Sequence, residues 1–356
     1  MANNFVDRGH EVTIITFKNP ESDFYKLRPA IRRVALARSD NSRSGIRTKI
    51  ARNLDWMRTL RNHLKEQRPG IVISFMNTAN ILILLAACGL QIPVIATEHT
   101  NPKAYPLGFH WRVLRRLTYP FASSLVSVSK GMNESFSWLP LSRRNVIVNA
   151  LAPEFEDLPI PVNSNRKTQI VSMGRLHWEK GFDQLLSAFA KIVRQHPDWT
   201  LLILGEGGER QKLDEQIKAL GIGESVKMPG AVNNVIPFLQ ESSVFVLSSR
   251  YEGFGNVIIE AMASGLPVVS FSCDYGPSEI IAEGEDGVLV PAGDVDALAR
   301  AIEQLIQNEA ERKRLAENAQ KSARRFYIDN IMDQWEALIQ DRRAVATHAP
   351  AEARQI

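Results

Sequence analysis

The chain has 356 residues, 44% of them apolar, enough for about two globular domains. It contains no run of about 18 uncharged apolar residues, so no membrane-spanning helix is expected. Residues 1–16 lack the charged start and apolar block of a signal peptide. The net charge of +4 conceals an asymmetry: residues 1–150 carry 22 Lys and Arg against 9 Asp and Glu, the remainder 21 against 30. A basic first half is expected to face something anionic. No helix-turn-helix, zinc-finger or stacking-aromatic pattern accompanies the charge, so nucleic acid is not the expected partner. An anionic membrane surface or a lipid diphosphate fits better, with a plain solvated basic face as the alternative. Cys88 and Cys273 sit far apart in apolar contexts and read as buried free thiols of a reducing cytoplasm. The seven histidines show no zinc spacing, so no metal is expected.

In chain order, strand-like runs fall at 12–16, 34–36, 71–75, 93–97, 125–128 and 145–148, with helical stretches at 46–67 and 80–89. Strands alternating with helices imply a parallel sheet covered on both faces. Residues 153–167 are polar and carry Pro153, Pro159 and Pro161, the composition of an interdomain linker. The alternation then restarts. Strand runs at 169–173, 200–204, 225–228, 244–247, 268–271 and 287–290 accompany helices at 182–196 and 209–220, the second closed by Gly221. Asp294 is placed to cap a helix beginning at Val295, helical sequence continues over 308–327, and a last apolar helical period runs through 331–339. The expected architecture is α/β: two Rossmann-like domains, 1–152 and 168–328, facing across a ligand-binding cleft. Residues 329–343 form a C-terminal helix packing back toward the first domain, and 344–356 a disordered tail.

The most informative stretch is Glu252-Gly-Phe-Gly-Asn-Val-Ile-Ile-Glu260, which follows a β-branched run ending in Ser248 and Ser249. A strand, glycine loop and helix start offer free backbone N–H groups and the positive end of a helix dipole, which suits a phosphate. Two acids there would repel a bare phosphate, yet carboxylates accept hydrogen bonds from sugar diols. The combination points to a nucleotide sugar. Gly174-Arg-Leu-His-Trp-Glu-Lys-Gly181 places Arg175 and Lys180 in the loop at the carboxyl end of the second half's first strand. Two cations there can neutralise a diphosphate and the charge it gains as a leaving group; a solvated Arg and Lys in a polar turn is the plainer alternative. Gly205-Glu-Gly-Gly208 permits close backbone approach, a common feature and a weak signal. His99 ends a strand in Ala96-Thr-Glu-His-Thr100, where a structural role competes with a functional one; Glu98 is a weaker candidate and His10 is expected to be structural. His177 and Trp178 either flank the site or are simply exposed.

Gly174-Arg175…Lys180-Gly181, Leu204-Gly-Glu-Gly207 and Glu252-x7-Glu260 together resemble the family 4 retaining glycosyltransferases of the GT-B fold. Gly9-His-Glu-Val12, Ser127-Val-Ser129 and Val146-Ile-Val-Asn149 match that family's first domain in order, and the resemblance runs from about residue 5 to residue 340. It implies that Arg175 and Lys180 bind the donor diphosphate, that N–H groups near Gly255, Asn256 and Val257 cradle phosphates and sugar, and that Glu260 holds the ribose. It also implies that Glu252 contacts the transferred sugar and that His99 reaches into the cleft beside it. The implied chemistry is same-face attack by an acceptor hydroxyl, with the departing diphosphate taking the proton. The family requires neither a cofactor nor a metal, and no DxD triplet appears here.

Trp111-Arg-Val-Leu-Arg-Arg-Leu-Thr-Tyr-Pro120 alternates apolar and basic groups. Trp111, Leu114 and Tyr119 with Arg112, Arg115 and Arg116 suit a helix lying on an anionic membrane surface; a buried helix with a basic outer face fits equally. Thr97-Glu-His-Thr-Asn-Pro102 resembles members that extend polyprenyl-diphosphate-linked saccharides for bacterial surface polysaccharides. The expected reaction is therefore transfer from a UDP-sugar to a lipid-linked saccharide, in the cytoplasm at the inner face of the cell membrane. One departure stands out. Family members open with a strand and a Gly-Gly loop, whereas Met1 here falls inside the following helix, so the first domain is expected to lack its central first strand and to have a truncated or misassigned start. That departure keeps two other readings open, a nucleotide-sugar epimerase or hydrolase and a nucleotide-sugar-binding protein inactive as a transferase.

Overall fold

The computed structural model describes residues 1–17, 26–36, 46–159 and 166–348. The second half is built on one parallel six-stranded sheet ordered β12-β11-β10-β7-β8-β9. Its strands are β7 (Gln169–Met173), β8 (Thr200–Leu204), β9 (Val226–Gly230), β10 (Val244–Leu247), β11 (Val268–Ser272) and β12 (Val288–Pro291). β7 and β10 are buried along their whole length, the mark of central parallel strands with both faces covered. The covering helices are α6 (Phe182–Ile192), α7 (Arg210–Leu220), α8 (Ile236–Glu241), α9 (Asn256–Ala263), α10 (Pro277–Ile280), α11 (Val295–Gln307) and α12 (Glu309–Ala323). Their limits follow local chemistry. Gly221 closes α7 in the left-handed conformation at φ 68°, and the Asp294 carboxylate accepts the Ala297 N–H at 2.8 Å to start α11.

The first half has α1 (Ala2–Asp7), β1 (Thr13–Thr16), β2 (Arg32–Ala35), α2 (Ile46–Gln67), β3 (Val72–Phe75) and α3 (Asn77–Ala87). It continues with β4 (Val94–Glu98), α4 (Phe109–Thr118), β5 (Ser124–Ser127), α5 (Lys130–Glu134) and β6 (Arg144–Val146). β3-β4-β5-β6 form one parallel sheet and β1-β2 another; among the described residues no ladder joins β1 to β3. β4 and β5 are wholly buried, while β1 and β3 are mostly half-buried. A last helix, α13 (Ile328–His348), returns to the first half, where Ile331, Trp335 and Leu338 pack with Phe5, Ile95, Val126 and Ile147. Glu336 receives His10 at 2.8 Å, a structural contact for that histidine.

Three expectations need correction. β2 begins at Arg32, earlier than its apolar run, because pairing with β1 recruits polar Arg32 and Arg33 into the ladder. α3 ends at Ala87, so Cys88 turns out at the helix terminus and is exposed; Cys273 is buried. α13 continues to His348, five residues into the expected disordered tail. Residues 160–165 of the expected linker and 349–356 of the tail lie outside the described residues. No described helix is long and apolar enough to cross a membrane.

Candidate active site

Two loops at the carboxyl end of the second sheet interlock. The loop after β7 ends in a tight turn at Gly181, whose φ of 63° favours glycine and whose missing side chain lets the chain lie against the Ser248 carbonyl after β10. The Ser248 hydroxyl donates to the Lys180 carbonyl at 3.0 Å, and the Arg250 N–H to the Glu179 carbonyl at 2.7 Å. The Arg250 guanidinium grips both Asp183 oxygens at 2.8 and 2.6 Å and stacks over Trp178 at 4.8 Å. This clasp orients Lys180, whose ammonium donates to Glu252 Oε1 at 2.7 Å. The Ser249 hydroxyl donates to the same oxygen at 2.7 Å. Lys180 and Glu252 are both largely withdrawn from solvent, so the pair is strong electrostatically and holds a cation and an anion side by side at the cleft. Sequence reasoning named Lys180 and Glu252 one at a time, not as partners, and missed Ser249 and Arg250; the serine was quoted only as the end of a strand.

Arg175 stands apart. Its side chain is 77% exposed and donates to Glu179 Oε1 at 3.0 Å. Burial raises the Glu179 pKa, opposed by the nearby Lys180 charge. The Gly205-Glu-Gly207 turn approaches backbone closely as expected, but the backbone is its own: Gly205 abuts the Gly174 carbonyl and Gly207 the Leu176 carbonyl.

The chain after Glu252 crosses the cleft. A side chain on Gly253 would collide with the His99 carbonyl, so this glycine is where the second domain touches the end of β4. Gly255, at φ 103°, then opens α9, leaving the first-turn N–H groups of Asn256 and Val257 without intrahelical partners. The Asn256 side-chain oxygen Oδ1 accepts from the Asn149 side-chain amide at 2.9 Å across the cleft. One turn on, the Glu260 carboxyl has no hydrogen-bond partner among the described residues, and burial, with the Glu154 charge second, pushes its pKa up to about 7.

On the facing wall His99 is half-buried beside the Phe75 ring, its Nε2 atom unpartnered, and burial holds its pKa below the ordinary value. Burial thus favours the uncharged form of the ring. Glu98 turns the other way into the core. It receives the Tyr119 hydroxyl, and the Asn77 amide lies within 2.7 Å; burial raises its pKa to about 7, with Tyr119 opposing. The rim is tied by Glu279, which accepts the N–H groups of Lys130 and Gly131 at 2.6 and 2.9 Å, and by Tyr275, whose hydroxyl meets Ser135 at 2.7 Å.

α4 lies outside this cluster, and its orientation differs from the sequence reading. Trp111 and Leu114 pack on the core and Tyr119 is fully buried, so the apolar trio expected on a membrane faces inward. Arg115 lies over the Phe136 ring at 5.3 Å, while exposed Arg116 lies over Trp138 at 4.2 Å and Arg112 is exposed. Tertiary packing against α3 chose the buried side of a helix that is apolar on more than one face.

The pattern of the Glycosyltransferase Family 4 domain matches residues 1–154, and that of Glycosyl transferases group 1 matches residues 154–322. The chain is 32% identical over 340 residues, 94% of its length and 92% of the relative's, to a Campylobacter jejuni enzyme. That enzyme is named GalNAc-α-(1→4)-GalNAc-α-(1→3)-diNAcBac-PP-undecaprenol α-1,4-N-acetyl-D-galactosaminyltransferase. The chain belongs to the family 4 glycosyltransferases. The glycosyltransferase is also 27% identical to the amylovoran biosynthesis glycosyltransferase of Erwinia amylovora, over 78% of its own chain and 79% of the relative's. Solved structures share its GT-B fold. The HepE protein of Anabaena with UDP and glucose has TM-score 0.73 at 22% identity, covering 87% of this chain and 86% of that one. A lipopolysaccharide outer core galactosyltransferase has TM-score 0.71 at 21% identity, covering 88% and 85%.

Proposed function

We propose that this glycosyltransferase moves a sugar from a UDP-sugar, with retention at the anomeric carbon, to a polyprenyl-diphosphate-linked saccharide in the biosynthesis of a bacterial surface polysaccharide. It works at the cytoplasmic face of the cell membrane as a peripheral protein and without a metal. The observation that carries the donor reading is the Lys180–Glu252 pair beside the unpartnered start of α9, in a cleft closed by His99. The acceptor reading is supported by the Campylobacter jejuni relative, whose name specifies an undecaprenol-linked saccharide.

In this reading the α9 N–H groups at Gly255, Asn256 and Val257 receive the diphosphate, and Lys180 offsets its charge, joined by Arg175 as it leaves Glu179. Glu260 takes the ribose hydroxyls. Glu252 takes a hydroxyl of the transferred sugar and is not the nucleophile, because one of its oxygens already accepts two hydrogen bonds that stabilise the anion. The acceptor hydroxyl attacks the anomeric carbon from the face the diphosphate leaves. The new C–O bond forms as the old one breaks, and the hydroxyl proton passes to the departing phosphate oxygen.

The test offers a panel of UDP- and GDP-sugars with synthetic polyprenyl-diphosphate saccharides and reads the product anomer by NMR. Lys180→Ala and Glu252→Ala are each expected to lower kcat/KM by about 100-fold or more. Transfer that survives both substitutions, or donor hydrolysis or epimerisation that needs no acceptor, overturns the proposal.

A further inference from the structure

The inward turn of Trp111, Leu114 and Tyr119 leaves a different apolar set facing out of α4. Phe109 is 73% exposed, Val113 42%, Leu117 61% and Phe121 76%. They recur every four residues and so form one continuous stripe along the helix and the turn after it. Single exposed apolar side chains are ordinary; four in register, two of them phenylalanines, are not. Arg143 donates to the Pro120 carbonyl, fastening the 141–143 turn to the end of the stripe, and Leu141 on that turn is 74% exposed.

The surroundings select the partner. From His99 to Asn133 the chain has no acidic residue, while Lys103, Arg112, Arg115, Arg116 and Lys130 are basic. Arg112 and Arg116 are exposed beside the stripe, and Arg112 lies over the Phe109 ring at 6.0 Å. An apolar ridge bordered by arginines matches the interface of an anionic bilayer, where the rings enter the acyl boundary and the guanidinium groups meet lipid phosphates. A helix between parallel strands runs back from the carboxyl edge of the sheet, so its first residue, Phe109, lies at the cleft end.

We propose that Phe109, Val113, Leu117, Phe121 and Leu141, bordered by Arg112 and Arg116, form the surface by which the protein docks on an anionic membrane, with the cleft end of α4 at the lipid. The inference rests on the lipid-linked acceptor proposed above and names the face that meets the lipid. Docked this way, the cleft opens at the depth where the diphosphate of a lipid-linked saccharide emerges.

The full chain is sedimented with vesicles of phosphatidylcholine alone or mixed equally with phosphatidylglycerol. Wild type is expected to bind the mixed vesicles and lose them at high salt. The triple variant Phe109→Ser, Leu117→Ser, Phe121→Ser is expected to bind them about 100-fold more weakly or worse. Arg112→Gln with Arg116→Gln is expected to lose about tenfold or more on mixed vesicles and little on neutral ones. A thermal melt and transfer to a water-soluble, lipid-free acceptor accompany each measurement, and the triple variant is expected to match wild type in both. Vesicle binding unchanged in the triple variant overturns the proposal. So does a wild-type dimer that becomes monomeric in the variant, which would make the stripe a self-association face. Failure of wild type on every acceptor, with vesicle binding intact, would instead count against the proposed transfer.

Discussion

At the residue scale, the site depends on partners that are distant in sequence. Lys180 and Glu252 lie 72 positions apart, yet the fold brings the ammonium to 2.7 Å from the carboxylate in a half-closed cleft. The residue types were legible because cations and acids at the ends of strands suit a diphosphate and a diol. Their pairing was not, and neither were Ser249 and Arg250, since hydrogen bonds between loops leave no periodic trace. Glu260 gives the sharpest consequence. Its carboxyl holds its proton to about pH 7 in the folded chain but to about pH 4.5 when unfolded, so this group makes stability fall as pH rises through that window. Ribose hydroxyls donating to the carboxylate favour the ionised form, so binding must drive the proton off below pH 7. UDP affinity is therefore expected to weaken by up to about tenfold per pH unit below pH 7, a component that Glu260→Gln lacks. Calorimetric titrations of both proteins across pH measure it; because the phosphates of UDP titrate equally in both, equal slopes would remove Glu260 from the nucleotide site.

At the element scale, most strands were legible because fully buried parallel strands are near-continuous apolar runs; Gln169–Met173, Thr200–Leu204 and Val244–Leu247 have the extents expected. Elements were misjudged where tertiary contact outweighs pattern. β2 takes in two arginines through its ladder, and α4 carries apolar side chains on both sides, so its period could not say which side is buried. The glycines of the site separate local from interdomain roles. Gly181 lies within the second domain, in the left-handed region and against the Ser248 carbonyl, so Gly181→Ala is expected to cost about 3 kcal/mol of stability in denaturant unfolding. At Gly253 the nearest atoms an added side chain would meet belong to the other domain, the His99 carbonyl and the Met132 side chain. Gly253→Ala is thus expected to leave the unfolding midpoint of the second domain nearly unchanged and to lower transfer about tenfold or more, by holding the domains apart. A large stability loss at Gly253 with normal transfer would reverse the two assignments.

At the scale of the whole molecule, two domains of opposite charge balance are joined across the cleft by polar ties. Glu279 is the best placed. Its carboxylate, from the start of α10, accepts two backbone N–H groups at the start of α5 in the other domain, a charge-assisted arrangement. Around it are the Tyr275–Ser135 hydrogen bond at 2.7 Å, the Lys103–Asp274 pair at 3.4 Å and the Asn149–Asn256 amide pair at 2.9 Å. The exposed ion pair contributes little. Two charge-assisted bonds of this kind stabilise the closed arrangement by roughly 2–4 kcal/mol relative to an open one that solvates the same groups. Removing the charge while keeping the shape, as in Glu279→Gln, sacrifices at least half of that, because an amide presents one accepting oxygen where the carboxylate presented two. A loss of about 1.5 kcal/mol shifts the closed-to-open ratio by more than tenfold. The expected result is a larger radius of gyration by solution X-ray scattering and a KM for the donor that rises about tenfold, both partly recovered when saturating UDP pulls the domains together. The Rossmann-like folds themselves are untouched by this change, so the thermal melt is expected to stay within about 2 °C of wild type. Scattering identical to wild type would show that the domains close through α13 and the apolar contacts around Phe254 and Met132 instead, with Glu279 only a passenger at the rim.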